Sequence, residues 1–283
     1  MLTENDFIYK GNSGTVEKLS FEWSSPSNIA LVKYWGKKPD VYQVPENSNV
    51  SLTLGSFRSF TKVEVIGRFL PADETLDYTF QHRLTLKQNL HGHTETLHAH
   101  EKIPDKINRF LNAMLFPFAT DIGIHIDSTN NFPTACGIAS SASGFAALCG
   151  AIADLLQLEK HFTEDELKYW LYTWARLGSG SATRSALTEK NLFVAWELEA
   201  KEHCVTKSLQ HHHAWKNTRH CVLVLNATEK SISSSTGHKY AHTSPFHNIR
   251  KAAVENHYLD LKKGLEEYSF KVVGQITEQD ALF

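Results

Sequence analysis

The stretch Asn130–Leu148, NNFPTACGIASSASGFAAL, decides how this sequence is read. Two asparagines, a proline and a glycine lead into a run of Ala and Ser that turns apolar, and IGIHID (residues 122–127) stands just before it with Ile122, Ile124 and Ile126 on one face. That order predicts a strand, a loop and a buried helix whose first turn carries only small side chains. Free backbone amides and the positive end of the dipole make a helix N-terminus an anion site, which bulky side chains would block. Ser140, Ser141 and Ser143 can add hydroxyls toward phosphate oxygens, Gly137 lets the backbone approach closely, and Gly144 keeps the turn open. The same residues would also serve simply to cap and pack a tight helix. No GK[ST] follows, so the motif is not a Walker A loop.

Around it the chain reads as mixed α/β. LSFEWSSPSNIALVKYW (19–35), VSLTL (50–54) and FTKVEVI (60–66) have β-branched and aromatic residues in partial alternation, while RLTLKQNLHGHTETLHAH (83–100) predicts a hairpin turning at His91-Gly92. IPDKINRFLNAML (103–115) has helical spacing. Thr163-Glu164-Asp165-Glu166 is a capping box opening a helix to about Arg176, with Gly178-Ser179-Gly180-Ser181 ending it. NLFVAWEL (191–198) and HCVLVLNA (220–227) read as strands, and Ile249, Ala253, Val254, Tyr258, Leu261 and Leu265 as one apolar helix stripe. The expected division is residues 1–190 and 191–283.

The bulk numbers exclude several classes. With 29 Lys and Arg against 31 Asp and Glu, the net charge of -2 gives no general attraction to nucleic acid or anionic membrane. The longest apolar run, Gly144–Ala153, is shorter than the ~20 residues of a membrane span. MLTENDFIYKGNSG has early acidic residues and no apolar core, so a secretory signal is not expected and a cytoplasmic location is. Cys136, Cys149, Cys204 and Cys221 lack CxxC spacing and are expected to be small buried hydrophobes. Sixteen histidines include His91, His93, His98 and His100 on the hairpin and the run His211-His212-His213; both are read as solvated loop or edge residues, not metal ligands.

Three further stretches could serve an anionic ligand. Residues 27–37, SNIALVKYWGK, put Asn28, Lys33, Tyr34, Trp35 and Lys37 at a strand end, with Lys33 and Trp35 expected on one face and Tyr34 on the other. GSGSATRS (178–185) sets Arg184 among Ser179, Ser181 and Ser185, which suits bidentate capture of phosphate or carboxylate. EKSISSS (229–235) is a second hydroxyl-rich passage into a helix. Their plain alternatives are an edge strand with solvated lysines, a helix stop with a surface arginine, and capping.

Taken in order, residues 27–37, PENSNVSLTL (45–54), NNFPTACGIASSASGFAAL, GSGSATRS and EKSISSS resemble the mevalonate diphosphate decarboxylases, a branch of the GHMP kinase superfamily. KYWGK together with NNFPTACGIASSASGF separates this branch from galactokinase and homoserine kinase relatives. The resemblance runs from about residue 24 onward. It implies an α/β nucleotide-binding domain and a ferredoxin-like α+β second domain with the active site between them. The implied reaction takes ATP and Mg2+: the tertiary 3-hydroxyl of mevalonate 5-diphosphate is phosphorylated, phosphate departs, and the carboxylate leaves as CO2 to give isopentenyl diphosphate. By the same resemblance Ser140, Ser141, Ser143, Gly137 and Gly144 hold ATP, with Ser141 nearest the transfer and no side-chain ligand assigned to the metal. Lys33, Tyr34, Trp35, Ser179 and Ser181 face the substrate; Arg184 pairs with its carboxylate and is positioned by Asn28. The family's dimers admit a homodimer here.

Three departures qualify the resemblance. The family's catalytic aspartate sits in a DAG-type segment near its C-terminus, and none precedes Phe283, so a fragment is expected, with a truncation that binds without turnover as the alternative. A kinase of mevalonate or its monophosphate is the alternative within the enzyme class. ALTEKNLFVAW stands where the family usually has a Gly-Gly turn, and Asn49 where many members have Ser.

Overall fold

The computed structural model describes residues 20–38, 42–68, 82–100, 103–118, 122–134, 137–186, 191–199, 204–223 and 234–282. Seven strands and seven α-helices run in the order β1 (Ser20–Val32), β2 (Asn49–Arg68), β3 (Arg83–Leu90), β4 (His93–His100), α1 (Asp105–Leu115), β5 (Ile122–Asn130), α2 (Ser140–Leu155), α3 (Glu164–Gly178), α4 (Thr183–Ala186), β6 (Phe193–Leu198), β7 (Cys204–Ser208), α5 (Ser234–Tyr240), α6 (His247–Glu266) and α7 (Phe270–Leu282). They form one sheet in the order β4-β3-β5-β2-β6-β7, with β1 also on β2. β2 organises it. Its first residues pair with β6, its later half with β5, and β1 runs antiparallel along its length.

The stretches VSLTL and FTKVEVI, expected as two strands, are thus one strand of 20 residues. The break in patterning at Gly55-Ser56 is absorbed by a register shift against β1 opposite Pro26/Ser27, where Pro is tolerated because β1 pairs only with β2. β3 and β5 are parallel, and β4 with α1 connects them. The hairpin turns at His91 (φ 53°) and Gly92 (φ 86°), two left-handed residues that match the twist of its strands.

The core has two parts. Val63, Leu84, Ile122, Ile124 and Ile126 of the sheet pack on Leu111, Met114, Cys149, Ile152, Leu155, Trp170 and Trp174 from α1, α2 and α3. α2 is buried on nearly every side, so its small residues are needed; a Cβ on Gly150 would collide with the Trp23 indole. The second part joins Val32, Val50, Leu52, Phe132 and Phe193 to Trp215, Val254, Tyr258, Leu261, Leu265, Val273 and Ile276. α3 begins at the expected capping box: Thr163 accepts from the Glu166 amide and the Glu166 carboxylate accepts from the Thr163 amide.

Several expectations are corrected. β1 ends at Val32, so Lys33–Trp35 lie past the strand instead of alternating along it. Residues 220–223 have no regular structure, the rest of HCVLVLNA lies outside the described residues, and the strand at β7 was not foreseen. Ile249 is 57% exposed, and the buried side of α6 carries Arg250, Val254, Tyr258, Leu261 and Leu265. Cys221 is exposed, unlike Cys149 and Cys204. Residues 224–233, which include most of EKSISSS, lie outside the described residues. β6 and β7 fall beyond residue 190 and yet continue the same sheet. No helix among the described residues is long and apolar enough to cross a membrane.

Candidate active site

The phosphate-loop candidate has the local geometry that its small residues allow. Gly137 (φ 84°) and Ala139 (φ 48°) both take the left-handed conformation, turning the chain from β5 into α2. Ser27 on β1 donates its hydroxyl to the Ile138 carbonyl, tying this turn to the sheet. The N-cap of α2 is Ala139, whose methyl cannot cap; the Ala142 and Ser143 amides donate to the Ala139 carbonyl, at 2.9 and 3.3 Å, which leaves the amides of Ser140 and Ser141 for an anion. Ser141 is exposed there, Ser140 is partly buried, and no heavy atom beyond its own backbone neighbours would meet a Cβ on Gly144. Beside them opens a cavity of about 240 Å³ with Leu84, Leu86, Ile126, Phe145 and Leu148 in its wall. Ser143 departs from the expected role. It is fully buried, its hydroxyl 2.6 Å from Ser59 Oγ and 3.2 Å from the Ser140 carbonyl, so it braces the helix start instead of facing a ligand.

The GSGSATRS segment comes to the same place. Ser179 Oγ lies 3.3 Å from Ser141 Oγ, joining the end of α3 to the start of α2. Gly180 follows because a Cβ there would approach the Tyr34 ring to 2.8 Å. Ser181 is half-buried in the same 3₁₀ turn. Tyr34 in turn packs between Trp196 and His238, with ring centroids 4.8 and 4.3 Å away, and Trp35, 41% exposed, leans on His238.

Arg184 is the unusual group. It is 2% exposed, so the surface-arginine alternative fails. It donates to Asn49 Oδ1 and, at 3.4 Å, to Asn28 Oδ1; Asn28 is itself fixed by a 2.7 Å bond to Ser185 Oγ. Both partners are neutral amides, the buried Nε makes no hydrogen bond, and no described carboxylate pairs with this guanidinium. Burial pushes its pKa down to about 10, with the nearby Tyr34 opposing. It stays charged at neutral pH, so the fold holds a desolvated cation without a counterion among the described residues.

Lys33 sits beside this group. Its backbone amide donates to Asp280 Oδ2 at 2.6 Å, its ammonium to the Ala30 carbonyl at 2.9 Å, and its own carbonyl accepts from Asn47 at 3.1 Å. Burial lowers its pKa, and Arg184 and Arg250 add to that against the pull of Asp280. Asn49, Ser27, Arg250 and Asp280 were missed as members of the neighbourhood. Asn49 lay in a quoted motif; the pairing of Arg250 with Asp280 leaves no trace in local spacing.

A left-handed turn feeding an uncapped helix, an apolar cavity beside it and a buried guanidinium with no described carboxylate partner make, on an α/β frame, a site whose chemistry suits phosphorylated anions. The comparisons narrow the class. Residues 25–208 match the family model described as the diphosphomevalonate decarboxylase-like N-terminal domain, and the chain belongs to that family. The diphosphomevalonate decarboxylase of Schizosaccharomyces pombe is 31% identical over 273 residues, covering 91% of this chain and 64% of that protein. The chain therefore spans under two thirds of that relative's length. The crystal structure of the Staphylococcus aureus mevalonate diphosphate decarboxylase superimposes with a TM-score of 0.70 at 27% identity, covering 93% of this chain and 72% of that one. The structure of MDDEF in complex with MVAPP, AMPPCP and magnesium gives 0.68 at 30% identity, covering 93% and 73%.

Proposed function

We propose that this chain belongs to an enzyme that decarboxylates mevalonate 5-diphosphate at the expense of ATP, giving isopentenyl diphosphate, ADP, phosphate and CO2. One observation carries the reading: Arg184 is a buried guanidinium held by two neutral amides, which suits a carboxylate that must be gripped and then released as CO2. The uncapped amides of Ser140 and Ser141 suit ATP phosphates, and the adjoining apolar cavity suits the base. The likeness to MDDEF, which binds MVAPP, AMPPCP and magnesium, supports the same ligands here. Mg2+ on the phosphates would neutralise charge that develops during transfer. Ser141 and Ser179, 3.3 Å apart, offer hard oxygen donors on that side.

The chain's own contribution is positioning and charge. Lys33, its pKa lowered, and Tyr34 face the substrate from the segment after β1, with Trp35 alongside. Arg184 orients the carboxylate so that its C–C pair can flow into the new double bond as phosphate leaves with the C–O pair and the carboxylate carbon departs as CO2. Asp280 is not assigned to the 3-hydroxyl. Both of its oxygens are already taken, by Arg250 and by the Lys33 amide. A charged, water-soluble substrate and ATP suit a cytoplasmic reaction, and we draw the first domain through β7, to Ser208.

The test is one incubation with Mg-ATP and carboxyl-labelled mevalonate 5-diphosphate, following ADP and labelled CO2 together. Equal ADP and CO2 are expected. ADP without CO2 would make the protein a kinase, and neither product would refute the reading for this chain.

A further inference from the structure

Away from that site, three side chains converge where the KYWGK segment meets the later helices. Glu46 follows Pro45, which is bridged to Lys37, and its carboxylate folds in beside Gly36, whose left-handed φ of 82° disfavours other residues and where a Cβ would displace Oε2. The Glu46 side chain is 10% exposed, and Oε2 makes no hydrogen bond. His247, the first residue of α6, brings Nε2 to 3.3 Å from Oε2; His242, in the 3₁₀ turn Ala241–Thr243, brings Nδ1 to 4.0 Å from Oε1. The two rings are 4.8 Å apart, and one ligand atom from each residue lies within 4.8 Å of the others.

We propose that Glu46, His242 and His247 bind a divalent transition cation of the zinc class. Nitrogen and oxygen donors about 2.0–2.2 Å from a tetrahedral ion stand roughly 3.3–3.6 Å apart. The Glu46–His247 separation already has that value, and the His242 ring, 45% exposed, is free to turn inward from a set whose ligand atoms all lie within 4.8 Å of one another. A neutral imidazole donates from only one nitrogen, whereas a buried carboxylate oxygen without a donor is costly. A cation held by all three side chains removes that cost. Two imidazoles and one carboxylate select zinc, copper, nickel or cobalt over magnesium or calcium, so this site would not compete for the Mg2+ that accompanies ATP. Three protein ligands leave a fourth position for water.

The site would fasten two parts of the chain far apart in sequence. His238, just before it on α5, accepts from the Gly36 amide at 3.2 Å and lies against Tyr34 and Trp35, so metal at Glu46 would stiffen the segment that carries both aromatic residues.

Chain free of any polyhistidine tag would be titrated with Co2+, read by its d–d absorption, and with Zn2+ in competition with a chromophoric chelator. One tight site is expected, weakened at least tenfold by Glu46→Gln, by His247→Ala and by His242→Ala. Zn2+ at 100-fold over its Kd should raise Tm by about 5 °C, and not in the variants. The exposed hairpin histidines supply the control: His93→Ala with His98→Ala should leave the site intact. His242→Ala, being half exposed, keeps the test valid if Glu46→Gln does not fold. Absence of binding, or tight binding unchanged in His242→Ala, would overturn the proposal.

Discussion

Replacing Arg184 by methionine separates stability from ligand binding. Burial takes the guanidinium from its ordinary value down to about 10, which corresponds to about 3 kcal/mol charged against its ionised form. At neutral pH the arginine is ionised both folded and unfolded, and only the folded state bears that cost. Because the folded pKa is the lower one, the cost is complete below pH ~10 and fades as pH rises above it. Methionine fills much of the volume without charge, but it leaves Asn49 Oδ1 and, across a longer 3.4 Å contact, Asn28 Oδ1 without a donor, a loss of about 2–4 kcal/mol in all. The two nearly offset, which predicts a ligand-free variant within about 1 kcal/mol of the parent. Denaturant unfolding at pH 7 measures this, repeated with saturating mevalonate 5-diphosphate. The parent should gain stability from the ligand and the variant almost none. A ligand-free variant less stable by more than ~2 kcal/mol, or one that keeps the ligand's stabilisation, would refute the account of Arg184 as a cation waiting for an anion.

Other expectations are narrower. Arg184→Lys should lose at least tenfold in turnover, since an ammonium cannot reproduce a planar fork, and a variant at parental kcat removes the assignment. Ser141→Ala and Ser143→Ala should behave oppositely: the first, exposed, changes stability by under ~0.5 kcal/mol and lowers ATP-dependent turnover, while the second strands Ser59 and costs about 1–3 kcal/mol in thermal unfolding. Gly180→Ala, pressing on Tyr34, should raise KM for the substrate more than for ATP, as initial rates would show. Burial holds the His238 imidazole down to about 4, so the unfolded state takes up protons first as pH falls below 6.5. Stability should drop by about 2 kcal/mol between pH 6.5 and 4, and His238→Asn, which keeps an acceptor for the Gly36 amide, should flatten that slope in urea melts.

What could be read from the sequence was whatever depends on neighbours in the chain. The α2 start, the Thr163 capping box and the His91-Gly92 turn each follow from residues within a few positions, and each is present. Glycine misled where it was taken for punctuation: Gly55 sits inside β2 with open space around it. Ser143 was placed with its two neighbours because spacing cannot tell which side of a helix start faces the core. The least legible features are contacts across the fold. Lys33 meets Asp280 across 247 positions, Asn28 meets Ser185 across 157, and Ser27 meets the Ile138 carbonyl across 111. No local pattern marks Asp280 or Arg250, since each looks like a solvated helix residue until its helix is docked on β1.

Two of the three buried arginines, Arg250 and Arg184, show how a site differs from a brace. Arg250, 7% exposed, donates to both oxygens of Asp280 at 3.1 and 3.2 Å and to the Lys33 carbonyl at 3.4 Å; His257 Nδ1 stands 3.4 Å from the same carboxylate, and the Lys33 amide completes it. Every charge there is answered within the chain, so the pair can fix where Lys33 emerges from β1 but has nothing left to offer a ligand. Removing one partner would leave the other buried and unpaired, which typically costs 3–5 kcal/mol. Arg184 has the same burial and none of the compensation. A fold that pairs one arginine completely and leaves another, linked to it through Lys33, held only by amides has stored its binding energy at the second. On the proposed function that energy is recovered when an anion enters, and Arg250 with Asp280 would keep the lysine beside it in place.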